Sequence, residues 1–148
     1  MGAIRTWLLV LVMLGSLGLG AELLLLDHFE SPLQWIPLVS LTLGLGATSA
    51  VIARPGRTAV RAFVAIMTLF IAAGLLGLYL HYRGNTMFEL EMDASTGGLA
   101  LFWRAMRGAT PALAPGALIQ LGMIGLIAAF RHPALRHDAR HRSRRGGI

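Results

Sequence analysis

The chain has 148 residues, is 55% hydrophobic and only 14% charged, and carries a formal net charge of +6. A soluble domain of this length needs far more polar surface, so the composition excludes an ordinary water-soluble globule. Cysteine and lysine are absent, which removes disulfides, thiolate metal sites, cysteine nucleophiles, Schiff-base chemistry and a P-loop lysine.

The first apolar stretch covers about residues 4–26, with Arg5 ahead of its core. An arginine before an apolar core resembles a secretory signal, and Gly18, Gly20 and Ala21 make Leu17–Glu22 a tolerable cleavage region. The stretch is long for a signal, so we expect it to be retained as a membrane anchor. An acidic connection, Asp27-His28-Phe29-Glu30-Ser31-Pro32, leads to a second span at about 33–53. At about 1.5 Å per residue this covers the roughly 30 Å hydrocarbon layer.

Arg54-Pro55-Gly56-Arg57 reads as a sharp basic turn before a third span at about 58–80. The fourth span, at about 110–130, opens on Thr110-Pro111, an N-cap followed by a proline at the first helical position. The predicted fold is an all-α integral membrane protein with four transmembrane helices in a bundle. It divides into a membrane domain, 1–130, and a basic cytoplasmic tail, 131–148, too polar to enter lipid and expected to be partly disordered.

Charge sets the expected orientation. Arg5, Arg54, Arg57, Arg61 and the six arginines from Arg131 to Arg145 fall on one side of a four-pass pattern. Glu22, Asp27, Glu30, Glu89, Glu91 and Asp93 fall on the other. The positive-inside rule makes the arginine side cytoplasmic, with both termini there, as in a bacterial inner membrane. Anionic phospholipid heads are the expected partner for those arginines; nucleic acid is not, because no basic folded domain displays the charge. His132, His137 and His141 are interleaved with the tail arginines, where neighbouring positive charge opposes metal binding.

The spans contain small residues four apart: Ser16 and Gly20, Gly44 and Thr48, Ala73 and Gly77, Gly125 and Ala129. Such pairs let helix backbones approach closely in lipid, within one chain or between subunits. No ionisable residue lies securely mid-span, which argues against a proton-driven pump and against buried heme ligation. Gln120 is the main strongly polar candidate, either cross-linking helices or lining a solute path, helped by Thr42, Thr48, Ser49 and Thr68.

The external loop, 81–109, carries the most distinctive pattern. Tyr79 and Tyr82 suit an aromatic belt, and Gly84-Asn85 reads as a turn. Phe88-Glu89-Leu90-Glu91-Met92-Asp93 alternates apolar and acidic residues, which predicts a short extended segment with one covered face. Ser95 or Thr96 then caps a short amphipathic helix whose apolar face is Leu99, Phe102, Trp103 and Met106, with Arg104 and Arg107 on its polar side. That helix suits the outer leaflet surface. Phe88, Leu90 and Met92 with the same apolar four form a candidate partner or lid surface.

His28, His81, Glu89 and Glu91 supply imidazole and carboxylate groups on one side of the membrane and are candidate ligands for a divalent metal such as Zn²⁺, Cu²⁺ or Fe²⁺. They come from separate segments and lack helical ligand spacing. No other cofactor is expected, and no catalytic triad, Walker loop or dinucleotide fingerprint is present. The expected role is a non-enzymatic integral membrane subunit or accessory protein, with a protein partner or further copies of itself. The alternatives are a small-solute transporter or channel component, and an external-face metal-binding membrane protein.

Overall fold

A computed structural model describes residues 2–108 and 113–136. Among them all regular elements are helical: α1 (Ala3–Leu25), a 3-10 turn (Pro32–Gln34) leading into α2 (Trp35–Ala53), α3 (Arg57–Met92), α4 (Gly98–Met106), α5 (Leu113–Ala129) and α6 (Pro133–Arg136). Three helices, Ala3–Leu25, Pro32–Ala53 and Arg57–Met92, are long and apolar enough to cross a bilayer, which marks this as a membrane-embedded chain. α5 is equally apolar, but its 17 described residues rise only about 26 Å. The expected Thr110-Pro111 start of the fourth span lies outside the described residues.

The helices form a four-membered ring in which α1 packs on α2 and α5, and α3 packs on the same two. Consecutive members run in opposite directions. Arg5, near the start of α1, reaches the last turn of α5, donating from Nε to the Ala128 carbonyl at 2.7 Å and from a terminal nitrogen to the Phe130 carbonyl at 3.2 Å. A guanidinium there satisfies carbonyls that the end of α5 leaves open and complements its dipole. This end of the ring carries the basic turn; the opposite, acidic end carries residues 27–32 and α4.

Because the helices are apolar nearly all round, their buried faces are marked by spacing and size. α1 buries Leu9, Val12, Ser16, Leu19 and Leu23, and α3 buries Val60, Phe63, Met67, Phe70 and Gly74, alternating steps of three and four. That spacing holds one stripe against a neighbour. In lipid there is no hydrophobic drive between helices, so close packing must hold them. Small residues provide it: a side chain at Gly44 would collide with the Phe70 ring, one at Gly125 with Met67, and one at Gly74 with Ile119 and the Pro115 carbonyl. Gly44, Thr48, Gly125 and Ala129, expected as close-approach sites, are therefore buried in contacts within one chain.

Phe63, Met67 and Phe70 are all but fully buried and fill the middle and basic half of the ring. The buried Ser16 hydroxyl has no partner among the described residues, but four others in the spans donate to their own backbone four residues back: Ser40 to Ile36, Thr42 to Leu38, Thr48 to Gly44 and Thr68 to Val64. Each of these four is satisfied locally, as lipid requires.

Four expectations for 81–109 are corrected. The third helix does not stop near residue 80; α3 continues to Met92, 36 residues in all. The segment Phe88–Met92 is thus helical, with no extended segment there. Continuing an existing helix adds one hydrogen bond per residue fixed, whereas a lone strand leaves its backbone unpaired. Glu, Leu and Met are also good helix formers. Gly84-Asn85 lies inside α3, not in a turn, and Asn85 is buried. The short amphipathic helix does form, as α4, but it starts after Gly97, and Ser95 and Thr96 bond to Asp93 instead of capping it.

The tail is also less free than expected at its start. His132 is buried and α6 rests against α3; residues 137–148, including His137 and His141, lie outside the described residues.

Candidate functional site

At the acidic end the ring opens into a cavity of about 440 Å³ bounded by all four of its helices. Its position follows from how α1 ends. Asp27 adopts a left-handed conformation (φ 50°), while Asp27 N–H donates to the Leu24 carbonyl at 3.2 Å and His28 N–H to the Leu23 carbonyl at 2.9 Å. This is a Schellman-type stop with aspartate in the position usually held by glycine. It turns the chain sharply, setting His28 over the cavity. The next helix begins with Ser31 N–H donating to Gln34 Oε1 at 2.8 Å, which fixes Gln34 on the rim.

The lower walls are hydrocarbon, from Leu19 on α1, Pro37 on α2, Ala73 and Leu76 on α3 and Leu118 on α5. The polar lining consists of Glu22, His28, Ser31, Gln34 and His81. The His28 and His81 rings lie 6.3 Å apart between centroids and 24° from parallel. Two of the four candidate metal ligands thus meet at this rim.

Glu89 and Glu91 do not join them. They lie two or more turns further along α3, outside the cavity lining, and among the described residues no group of three or more His, Asp or Glu is placed to hold a metal ion. Gln120 is also elsewhere: it is exposed on α5, lines no part of the cavity, and makes no side-chain hydrogen bond among the described residues. Below the cavity, the Phe70 ring against Gly44 closes the axis of the ring.

Beyond the cavity, α3 and α4 form a second built element. Asn85 Nδ2 donates to the Ala105 carbonyl at 2.9 Å in a buried contact, and Gly108 lies so close to Asn85 that a side chain there would collide with it. The Tyr82 and Phe102 rings meet at 5.9 Å. The connecting turn is organised by Asp93, whose carboxylate accepts from Ser95 N–H at 3.0 Å, Ser95 Oγ at 2.6 Å and Thr96 Oγ1 at 2.8 Å. Arg104 donates to Thr96 Oγ1 at 3.0 Å and lies 3.7 Å from Asp93. The hydrogen bonds from Ser95 and Thr96, with the Arg104 charge, hold the Asp93 carboxyl below its ordinary range.

This arrangement leaves apolar side chains uncovered. Phe88, Leu90 and Met92 on α3 and Leu99, Phe102, Trp103 and Met106 on α4 are all exposed, Met92 at 74%. α4 meets α3 through Phe102, which the expected apolar face included, and through Ala105, which it did not.

Several of these residues left little trace in the sequence. Glu22 and Gln34 become rim residues only when four helices assemble, and Arg5 finds its carbonyls 123 and 125 positions away. Asp93-Ala94-Ser95-Thr96 does carry a local signal, since an aspartate commonly accepts from the two residues that follow its turn. Compared with models of known protein families, with curated proteins and with solved structures, the chain shows no match.

Proposed function

We propose that this chain is a non-enzymatic integral membrane subunit that crosses a bacterial inner membrane four times, with its arginine-rich end in the cytoplasm, and docks a partner protein through the external end of α3. The single observation that supports this reading is the length of α3. Its 36 residues rise about 54 Å, against a hydrocarbon layer of about 30 Å. Arg61 and Arg83 bracket its uncharged stretch and suit the two headgroup levels, so the turns carrying Glu89 and Glu91 stand in water. There Met87, Phe88 and Met92 are uncovered. Apolar side chains held out in water on a rigid helix are a recurring mark of a protein contact.

In the same frame α4 meets α3 at Tyr82 and Asn85, the headgroup level, where its exposed Leu99, Phe102 and Trp103 sink into lipid and Arg104 and Arg107 meet the heads. In this reading α5 makes the fourth crossing. Transport through a single copy draws no support from this packing, because Phe63, Met67 and Phe70 occupy the axis and Gln120 faces away from the cavity.

Native mass spectrometry of the gently extracted complex tests the reading. A second polypeptide, or a second copy, is expected, and it should be lost in Phe88→Glu and Met92→Glu while α4 remains protected from proteolysis. A chain that is monomeric and partner-free in its native membrane sinks the proposal.

A further inference from the structure

We infer that the cavity at the acidic end of the ring is a binding site for a single-chain amphiphilic cation, an alkyl chain carrying an ammonium head. The inference concerns the cavity and does not depend on docking at the tip of α3.

The cavity is layered along the helix axes. On α3, Ala73 lines its deep end and His81 its rim, eight residues or about 12 Å apart. Through that depth the facing walls are Leu19, Pro37, Leu76 and Leu118. A space of about 440 Å³ is of ligand size, and an empty one forfeits the dispersion contacts its walls could make. Water has no partners among the deep walls and does not fill such a space well. A hydrocarbon chain does, and the fully buried Phe70 lies one turn of α3 beyond Ala73, the deepest α3 residue of the lining.

The rim selects the head. Counting histidine as neutral, Glu22 is the only formally charged residue in the lining among the described residues, and Asp27 and Glu30 flank His28 in the same connection. Arg83, the nearest cation on α3, is exposed and does not line the cavity. An anionic head would therefore have to sit against carboxylate. An ammonium meets the Glu22 carboxylate, with Gln34 Oε1 and an imidazole nitrogen of His28 as further acceptors at the same level. Tail depth and head charge thus agree on one class of molecule.

The test uses the full chain in phosphatidylcholine nanodiscs and dodecylammonium carrying a photoreactive diazirine in its chain. Saturable labelling is expected on peptides containing Leu23, Leu76 and Leu118, competed by unlabelled dodecylammonium and not by dodecyl sulfate. Glu22→Gln should raise half-saturation about threefold to tenfold, the range for an ion pair at a partly solvated rim. Ala73→Phe, which fills the deep end, should abolish labelling; should that variant misfold, Glu22→Gln at the exposed rim still decides. Labelling that never saturates, or that dodecyl sulfate competes equally, overturns the inference and assigns the space to ordinary bilayer lipid. Added phosphatidylethanolamine, with two chains and a zwitterionic head, should leave the labelling unchanged; loss of labelling overturns the single-chain cation and assigns the space to bilayer lipid.

Discussion

The ring of Phe70 occupies the space that a side chain at Gly44 would fill. Phe70 is fully buried, and the contact joins α2 to α3 where the axis of the helical ring closes beneath the cavity. Gly44→Val forces the aromatic ring or a helix to move, an overpacking that costs about 1–3 kcal/mol. We expect lower thermal stability in detergent and partial recovery in Gly44→Val/Phe70→Leu. Gly18→Ala is the control, because nothing lies within 4 Å of a side chain built there. Equal stability of Gly44→Val and Gly18→Ala would rule out a close helix contact at this position.

Asn85 joins α3 to α4 by donating to the Ala105 carbonyl from a buried position. Asn85→Leu keeps much of the volume but removes that bond, leaving the Ala105 carbonyl only the Gly108 N–H at 3.3 Å, at a cost of about 0.5–1.5 kcal/mol. The loss should be local. Amide hydrogen exchange in α4 is expected to accelerate while α1 and α2 stay protected. Unchanged protection of α4 would mean that ring contacts such as Tyr82 with Phe102 suffice to hold it.

These two contacts also mark how far the sequence could be read. Long apolar runs made α1, α2 and the first part of α3 legible, because lipid imposes length and composition on any span. The small residues were legible as close-approach sites, but which neighbour they meet depends on helix order. The far part of α3 misled, since Phe88-Glu89-Leu90-Glu91-Met92 alternates like a strand while Phe88 and Met92 are equally four apart on a helix. Five residues cannot separate the two periods; the growing helix behind them does. Of the candidate site, His28 and His81 were visible as acidic-side histidines, yet their stacking, and the company of Glu22 and Gln34, arise only from the assembled ring.

Asp93 makes the connecting turn sensitive to acid. Its carboxyl titrates below the ordinary 3.8 because the hydrogen bonds from Ser95 and Thr96 favour the charged form. A depressed folded value contributes stability that is present above the unfolded value and lost as pH falls through the folded one. Protection of the Ser95 and Thr96 amides, taken against intrinsic exchange at each pH, should therefore fall once pH drops below that range. Asp93→Asn should show faster exchange already at neutral pH and no further acid step. A turn equally protected in both proteins at every pH would remove Asp93 from this role.

His132 gives the arginine-rich end the same sign of dependence in a higher pH range. It lies just past the end of α5, 4% exposed, and its Nδ1 accepts from Ala134 N–H at 3.2 Å, which leaves the ring proton on Nε2. Burial, then the Arg5 guanidinium, hold its pKa below the ordinary 6.5. The unfolded chain binds the proton first as pH falls, so stability is full above about 6.5 and declines as pH drops through the folded value. His132→Asn keeps an acceptor for Ala134 and should flatten this part of the profile of unfolding temperature against pH. Arg5→Gln should shift the folded pKa upward, narrowing the window, while lowering stability at every pH through the loss of its contacts with the Ala128 and Phe130 carbonyls. NMR titration of the His132 ring reads the shift directly. A wild-type profile between pH 5 and 7 that His132→Asn leaves unchanged would assign the dependence to other histidines.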